Sequence, residues 1–227
     1  MDTKSIRMEP SPLSEKIFNI GKVPFKLWLE FEVSSPWDDL ENDHTTIGVD
    51  TLDGRIYGLN VWTYKYLETS IKQDEANEQN LSGLYQIPPD LFVKELTRSC
   101  IEKTISDLLD IGNLEEQLNN SIFGLKYINP YQDVMDVEDK ISQDFFIEFK
   151  LKLPDNHPLQ NENIELIAKK TNCDDIVLEL EDGRIAVAQF TLKSKIEFES
   201  YPVTIIYKDK VEFWKREMKQ DIIDFRK

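Results

Sequence analysis

Two histidines, two cysteines and several acidic runs are the side chains here that could do chemistry. His44 closes the run "DDLENDH" and His157 sits in "DNHP", both in loop-like contexts. Nucleophilic catalysis needs a base set against a Ser or Cys, and neither histidine has a GxSxG elbow or a cysteine signature beside it. Cys100 falls on the apolar side of a helical pattern and Cys173 just before a strand. Neither has a CxxC partner, so both read as reduced structural thiols. "DDLENDH" is rich in oxygen ligands but lacks the alternating register and sharp-turn glycine of a calcium loop. No pair of carboxylates stands out for glycoside chemistry. The tetrapeptide Asp53-Gly54-Arg55-Ile56 recurs as Asp182-Gly183-Arg184-Ile185. A phosphate loop would lead into a helix, whereas both copies lead into strand-like residues. These patterns predict no catalytic residue, no cofactor and no metal.

One constellation suits binding instead. Trp37 follows Pro36 and stands before Asp38, Asp39, Glu41 and Asp43. An exposed tryptophan rimmed by charge has the composition of an interface hot spot. A tryptophan folded beneath its loop is the competing reading, because large aromatics are mostly buried. Both stay open on sequence alone. The five residues are the candidate partner-binding set.

The charge narrows the partner. Among 227 residues, 43 are acidic and 27 basic, for a formal net charge of −16. Phosphate backbones and acidic membrane surfaces are bound by Lys and Arg, so nucleic acid and membrane are excluded as partners. A basic protein would be attracted and steered. The first twenty residues place acids and prolines where a signal peptide has an unbroken apolar region. No stretch approaches the roughly 18 apolar residues of a membrane span. A cytoplasmic location is expected.

The elements that must position these residues follow from periodicity. Residues 23–33 alternate as a strand, with Phe25, Leu27, Leu29, Phe31 and Val33 on one face. Each Asp-Gly pair joins two strand-like runs, predicting hairpins with type I′ turns in which both central residues take positive φ. Whether the shared letters record a duplication or convergence on one turn is open. Residues after Tyr66 read as a helix or an exposed loop. "PPDLFVKELTRSCIEKTISDLLDIG" reads as a helix capped by Asp90 and ended by Gly112. Residues 112–140, with Asn129-Pro130 and an acidic run, hold the boundary. The domains are then 1–130 and 141–227. The second restarts with "SQDFFIEFKLKL", carries the Asp182-Gly183 hairpin and the strand "YPVTIIY", and ends in an amphipathic helix with Val211, Trp214, Met218, Ile222 and Phe225 as its stripe. The expected fold is α+β: antiparallel hairpins and sheets with helices packed on one face, in two lobes. The last helix is expected to bury Trp214, Met218 and Ile222 against the hairpin face of Ile176, Leu178 and Leu180.

From "NHPLQNENIELIAKKTNCDDIVLELEDGRIAVAQFTLKSKIEFESYPVTIIYKDKVEFW" the chain resembles a small domain of many uncharacterised bacterial proteins. The shared features are the His157-Pro158-Leu159 turn, a basic-ended helix, Cys173-Asp174-Asp175, the Asp-Gly hairpin with its strand, and a closing aromatic helix. Tyr201-Pro202 departs from the Trp-Pro more usual in that pattern. "LDGRIYGLNVWTYKYL" similarly resembles the hairpin of immunity-type proteins encoded beside bacterial polymorphic toxins. The two resemblances cover about half the chain and carry no known active site. They imply a cytoplasmic immunity protein that neutralises a cognate basic toxin domain through an acidic surface, without chemistry of its own. The alternative is a non-catalytic adaptor in a bacterial secretion or defence assembly.

Overall fold

The computed structural model describes residues 17–18, 21–33, 39–118, 123–134, 139–189 and 202–227. Trp37 and Asp38 of the candidate set lie outside them. The protein is α+β and divides into two compact units, Met1–Gly124 and Leu125–Lys227. No helix among the described residues is long and apolar enough to cross a membrane.

The first unit is built on a sheet with strand order β1-β2-β3-β4-β5, in which β6 also pairs with β4. The strands are β1 (Ile17–Phe18), β2 (Phe25–Leu29), β3 (His44–Thr51), β4 (Arg55–Thr63), β5 (Leu91–Val93) and β6 (Phe123–Leu125). Phe25, Leu27 and Leu29 alternate inward as expected. The strand ends earlier than the pattern suggests, at a 3-10 turn over Glu30–Glu32. There Glu30 Oε2 accepts from the amide of Thr46 at 3.0 Å. Ile47 and Val49 of β3 and Tyr57, Leu59 and Val61 of β4 complete the inner face. Helices α1 (Tyr64–Ala76), α2 (a short turn, Asn80–Gly83), α3 (Arg98–Ile111) and α4 (Leu114–Gln117) follow. Only α3 and α4 place side chains in this core, through Ile101, Ile105, Leu109 and Leu114.

The long helix expected from residue 91 is a strand and a shorter helix. Asp90 docks on β4: its amide donates to the Asn60 carbonyl at 3.0 Å, and its carboxylate accepts from the Asn60 amide at 2.7 Å. Leu91–Val93 then pair parallel to Val61–Thr63. The helix begins after Thr97, whose hydroxyl accepts from the Cys100 amide at 3.3 Å. Gly112 ends it in an extended conformation, with φ near 178°.

The second unit has β7 (Tyr131–Asp133), α5 (Asp139–Lys152), β8 (Ile164–Lys170), β9 (Ile176–Leu180), β10 (Ile185–Gln189), β11 (Val203–Tyr207), α6 (Lys210–Phe213), a π turn over Trp214–Met218, and α7 (Lys219–Phe225). Its sheet is antiparallel throughout, in the order β11-β10-β9-β8-β7. Because β7 belongs to it, part of the expected linker is an edge strand. β8 lies where the resemblance implies a basic-ended helix. Pairing with β7 on one side and β9 on the other draws Ile164–Lys170 into the sheet instead.

The helices do not share one face here. Ile176, Leu178 and Leu180 pack with Phe149 of α5 and Leu153 just after it, as do Ala186 and Ala188. The closing helix lies on the other side, with Phe213 against Tyr131 and Tyr207 and Lys210 paired to Glu179 at 2.8 Å. Trp214, Met218 and Ile222 are buried as their stripe predicts, but not on the face expected. Burial on both faces explains why β9 and β10 read as nearly continuous apolar runs.

Candidate functional site

The acidic loop can be built from its ends. The Leu40 carbonyl accepts from the Leu96 amide at 2.8 Å, and the Asp43 carbonyl accepts from the amide and hydroxyl of Thr63, both at 3.2 Å. Thr63 is also the N-cap of α1, its hydroxyl accepting from the Tyr66 amide at 3.2 Å. The loop is thereby fastened to the start of α1. Thr69 adds a hydrogen bond to Asn42 Oδ1 at 2.8 Å.

The acids on this loop differ in role. Asp39 Oδ2 accepts from Lys65 Nζ at 3.2 Å and Oδ1 from the Glu41 amide at 3.1 Å. The Lys65 hydrogen bond above all holds its carboxyl below the usual range. Asp43 Oδ1 accepts from the His44 amide at 2.8 Å and faces His44 Nδ1 at 3.3 Å. Glu41 is exposed. The structure thus brings Asp39, Glu41 and Asp43 together at the foot of α1. That helix runs for 13 residues and buries none of them. Its exposed side lies next to the acidic loop, while Tyr66, Leu67, Thr69, Ser70, Ile71 and Asp74 are half-buried.

One histidine is exposed and the other buried. His44 opens β3 rather than sitting in a loop, and its ring stacks on Tyr66 at 4.8 Å. His157 is buried. Its Nδ1 accepts from the Leu159 amide at 3.1 Å, so the proton is assigned to Nε2, which lies 3.0 Å from the Pro202 carbonyl. Nε2 also lies 3.1 Å from the Thr204 hydroxyl, so both ring nitrogens are engaged within the fold. Cys100 and Cys173 are free thiols in different units. Burial pushes the Cys173 thiol up, away from the thiolate a nucleophile requires.

The two Asp-Gly turns share one geometry, and it is not type I′. In each, the glycine amide donates back to the residue three before it, Thr51 at 3.2 Å or Leu180 at 2.9 Å. Only Gly54 and Gly183 take positive φ, at 90° and 85°. These are three-residue loops, a turn closed by a left-handed glycine. In each the arginine folds back on the aspartate: Arg55 Nε reaches Asp53 at 3.0 Å and Arg184 Nε reaches Asp182 at 2.6 Å. Both copies of Asp-Gly-Arg thus adopt the same local structure.

The surroundings then diverge. The Arg55 side chain is 3% exposed, against 34% for Arg184. Arg55 Nη1 donates to Asn113 Oδ1 at 2.5 Å and lies 3.9 Å from Glu115 Oε2, which also accepts from the Tyr57 hydroxyl at 2.5 Å. The other oxygen, Glu115 Oε1, is buried and meets no donor among the described residues. Burial works to raise the Asp53 carboxyl, but the hydrogen bond and charge of Arg55 outweigh it and hold it below its usual range. Burial, reinforced by Glu115, pushes the Tyr57 phenol up.

A second network ties the closing helix to its sheet. Lys170 Nζ lies 2.7 Å from Glu217 and 2.8 Å from Asp221, and sits over the Tyr131 ring. The Tyr131 hydroxyl donates to Asp221 at 2.5 Å, and that of Tyr207 to Glu217. Burial favours the neutral amine, yet the hydrogen bonds to Asp221 and Glu217 raise Lys170 above the usual lysine range. Beside it the Lys169–Asp174 segment and Gln132 line an open recess of about 540 Å³. Sequence reasoning singled out neither network. The repeated Asp-Gly-Arg was a signal for Arg55, whereas nothing local marks Lys170.

No group of three or more His, Cys, Asp or Glu among the described residues is placed to hold a metal ion. Comparison with protein-family models, curated proteins and solved structures finds no match for this chain.

Proposed function

We propose that this protein is a non-catalytic neutraliser of a basic protein partner, an immunity-type role performed in the cytoplasm. The surface of its first unit around Asp39, Glu41 and Asp43 makes the contact. One observation carries the reading: the acids gather at the start of α1, a helix that buries no residue. A net charge of −16 supplies long-range attraction to a basic partner.

The test uses the C-terminal domain encoded by the adjacent upstream reading frame. Its association with the full chain should slow steeply as salt rises, while dissociation changes less, because exposed charges act mainly on encounter. Changing Asp39→Asn, Glu41→Gln and Asp43→Asn together should slow association at low salt and flatten that dependence. An association rate indifferent to salt, or no binding at all, would remove the proposal.

A further inference from the structure

The stretch after α1 has backbone that ordinary residues avoid. Asn80, Leu81 and Ser82 take φ of 44°, 53° and 60°, and Gly83 takes 79°. These four successive residues form one left-handed turn. Residues other than glycine normally enter that region singly, because Cβ crowds the following carbonyl. The turn is pinned to α1 from the side. Asn80 donates to the Asp74 carboxylate, and Gln86 Nε2 donates to Asp74 at 2.7 Å and to Ser70 at 3.0 Å. At Gly83 the positive φ strains any side chain, and a Cβ there would crowd Glu75 Cγ.

What the strain accomplishes is outward. Leu81, Leu84, Tyr85 and Ile87 are 70%, 81%, 50% and 71% exposed. Single exposed apolar residues are ordinary, but a contiguous set marks an interaction surface. Strained backbone kept at such a place is itself a pointer to function. The rim is acidic. Residues 64–90 hold Glu68, Asp74, Glu75, Glu78 and Asp90 against Lys65 and Lys72, and both lysines are already paired, to Asp39 and Glu68.

We infer that the 81–87 ridge is the apolar anchor for the basic partner, which presents an apolar groove edged by Lys or Arg. The inference rests on the proposed neutralising role and adds the source of its affinity: the loop acids govern encounter and the ridge governs residence. Charge decides among occupants. A second copy would bring two acidic rims together, and acidic lipid headgroups would be repelled.

The experiment measures binding of the upstream-encoded C-terminal domain to the full chain and to Leu81→Ser/Leu84→Ser/Ile87→Ser, with the mass of each chain taken by light scattering. The triple variant should bind about thirtyfold more weakly or worse, mostly through faster dissociation, with unchanged circular dichroism and melting temperature. If the triple variant fails to fold, Leu84→Ser alone carries the test and should still weaken binding about fivefold or more. Wild-type binding that the variants leave intact overturns the ridge and spares the neutralising role. No wild-type binding overturns both. A wild-type dimer that the triple variant converts to monomer overturns the partner in favour of self-association.

Discussion

Replacing Arg55 by Met should be among the costliest single changes in the first unit. The guanidinium is 3% exposed and holds Asp53 through two contacts of 2.9 and 3.0 Å and Asn113 through one of 2.5 Å. Met fills much the same volume, so the packing loss is small and the electrostatic loss dominates. Glu115, 6% exposed and 3.9 Å away, then loses Arg55 as the cation opposite it. Breaking a buried pair costs roughly 3–5 kcal/mol, because the surviving charge stays out of water. Asp53 reaches solvent in part, which argues for the lower end, about 3 kcal/mol. That is a large share of the roughly 5–15 kcal/mol of a whole domain. Urea unfolding followed by fluorescence of the first unit's tryptophans, Trp28 and Trp62 among them, measures it. Adding Glu115→Gln removes the carboxylate charge but keeps an acceptor for Tyr57, and should recover at least about 1 kcal/mol. Arg184→Met, at the same place in the same tetrapeptide, should leave the unfolding midpoint where it is. An Arg55→Met cost below about 1 kcal/mol, or an Arg184→Met midpoint shift as large, would refute the burial argument.

Three further outcomes are expected. Met218→Ala should cost about 2–5 kcal/mol in urea unfolding, since the side chain is fully buried in the closing helix; a near-neutral change would place that helix outside the core. Thr97→Ala should destabilise the first unit by about 1 kcal/mol through loss of the α3 cap, and no loss would reinstate a helix start nearer Asp90. At alkaline pH the sign follows from the phenols: the fold raises Tyr57, Tyr127, Tyr131 and Tyr207, in each case chiefly by burial, and so favours their neutral forms. Their stabilisation is complete below the unfolded value of about 10 and drains away as pH climbs past it, with Lys170 acting in the same sense. Four of the eight tyrosines should ionise only as the chain unfolds, whereas a single absorbance wave for all eight near pH 10 would contradict this.

What could be read from the sequence is what short-range periodicity encodes. Alternation in 25–29, 44–51 and 55–63 determined which residues of those strands face inward. The Trp214, Met218 and Ile222 stripe determined what the last helix buries. The Asp-Gly pairs determined where the chain turns, and the composition fixed a formal charge of −16. Contacts distant in sequence lay beyond that reach. "DGRI" occurs twice with one local geometry, yet Asn113, 58 positions away, makes Arg55 part of a buried network, while Arg184, reaching Glu162 at 2.8 Å, stays part-exposed. Leu91–Val93 became a strand because an edge of β4 was there to receive it. β8 likewise joined a sheet whose strands the sequence scatters. Asp39, Glu41 and Asp43 were legible as acids, but only tertiary hydrogen bonds to Thr63, Lys65 and Leu96 placed their loop at the start of α1. The outward set of Leu81, Leu84, Tyr85 and Ile87 was least legible of all. Apolar residues default to the core, and only the left-handed turn, fastened sideways to α1, turns these four to solvent.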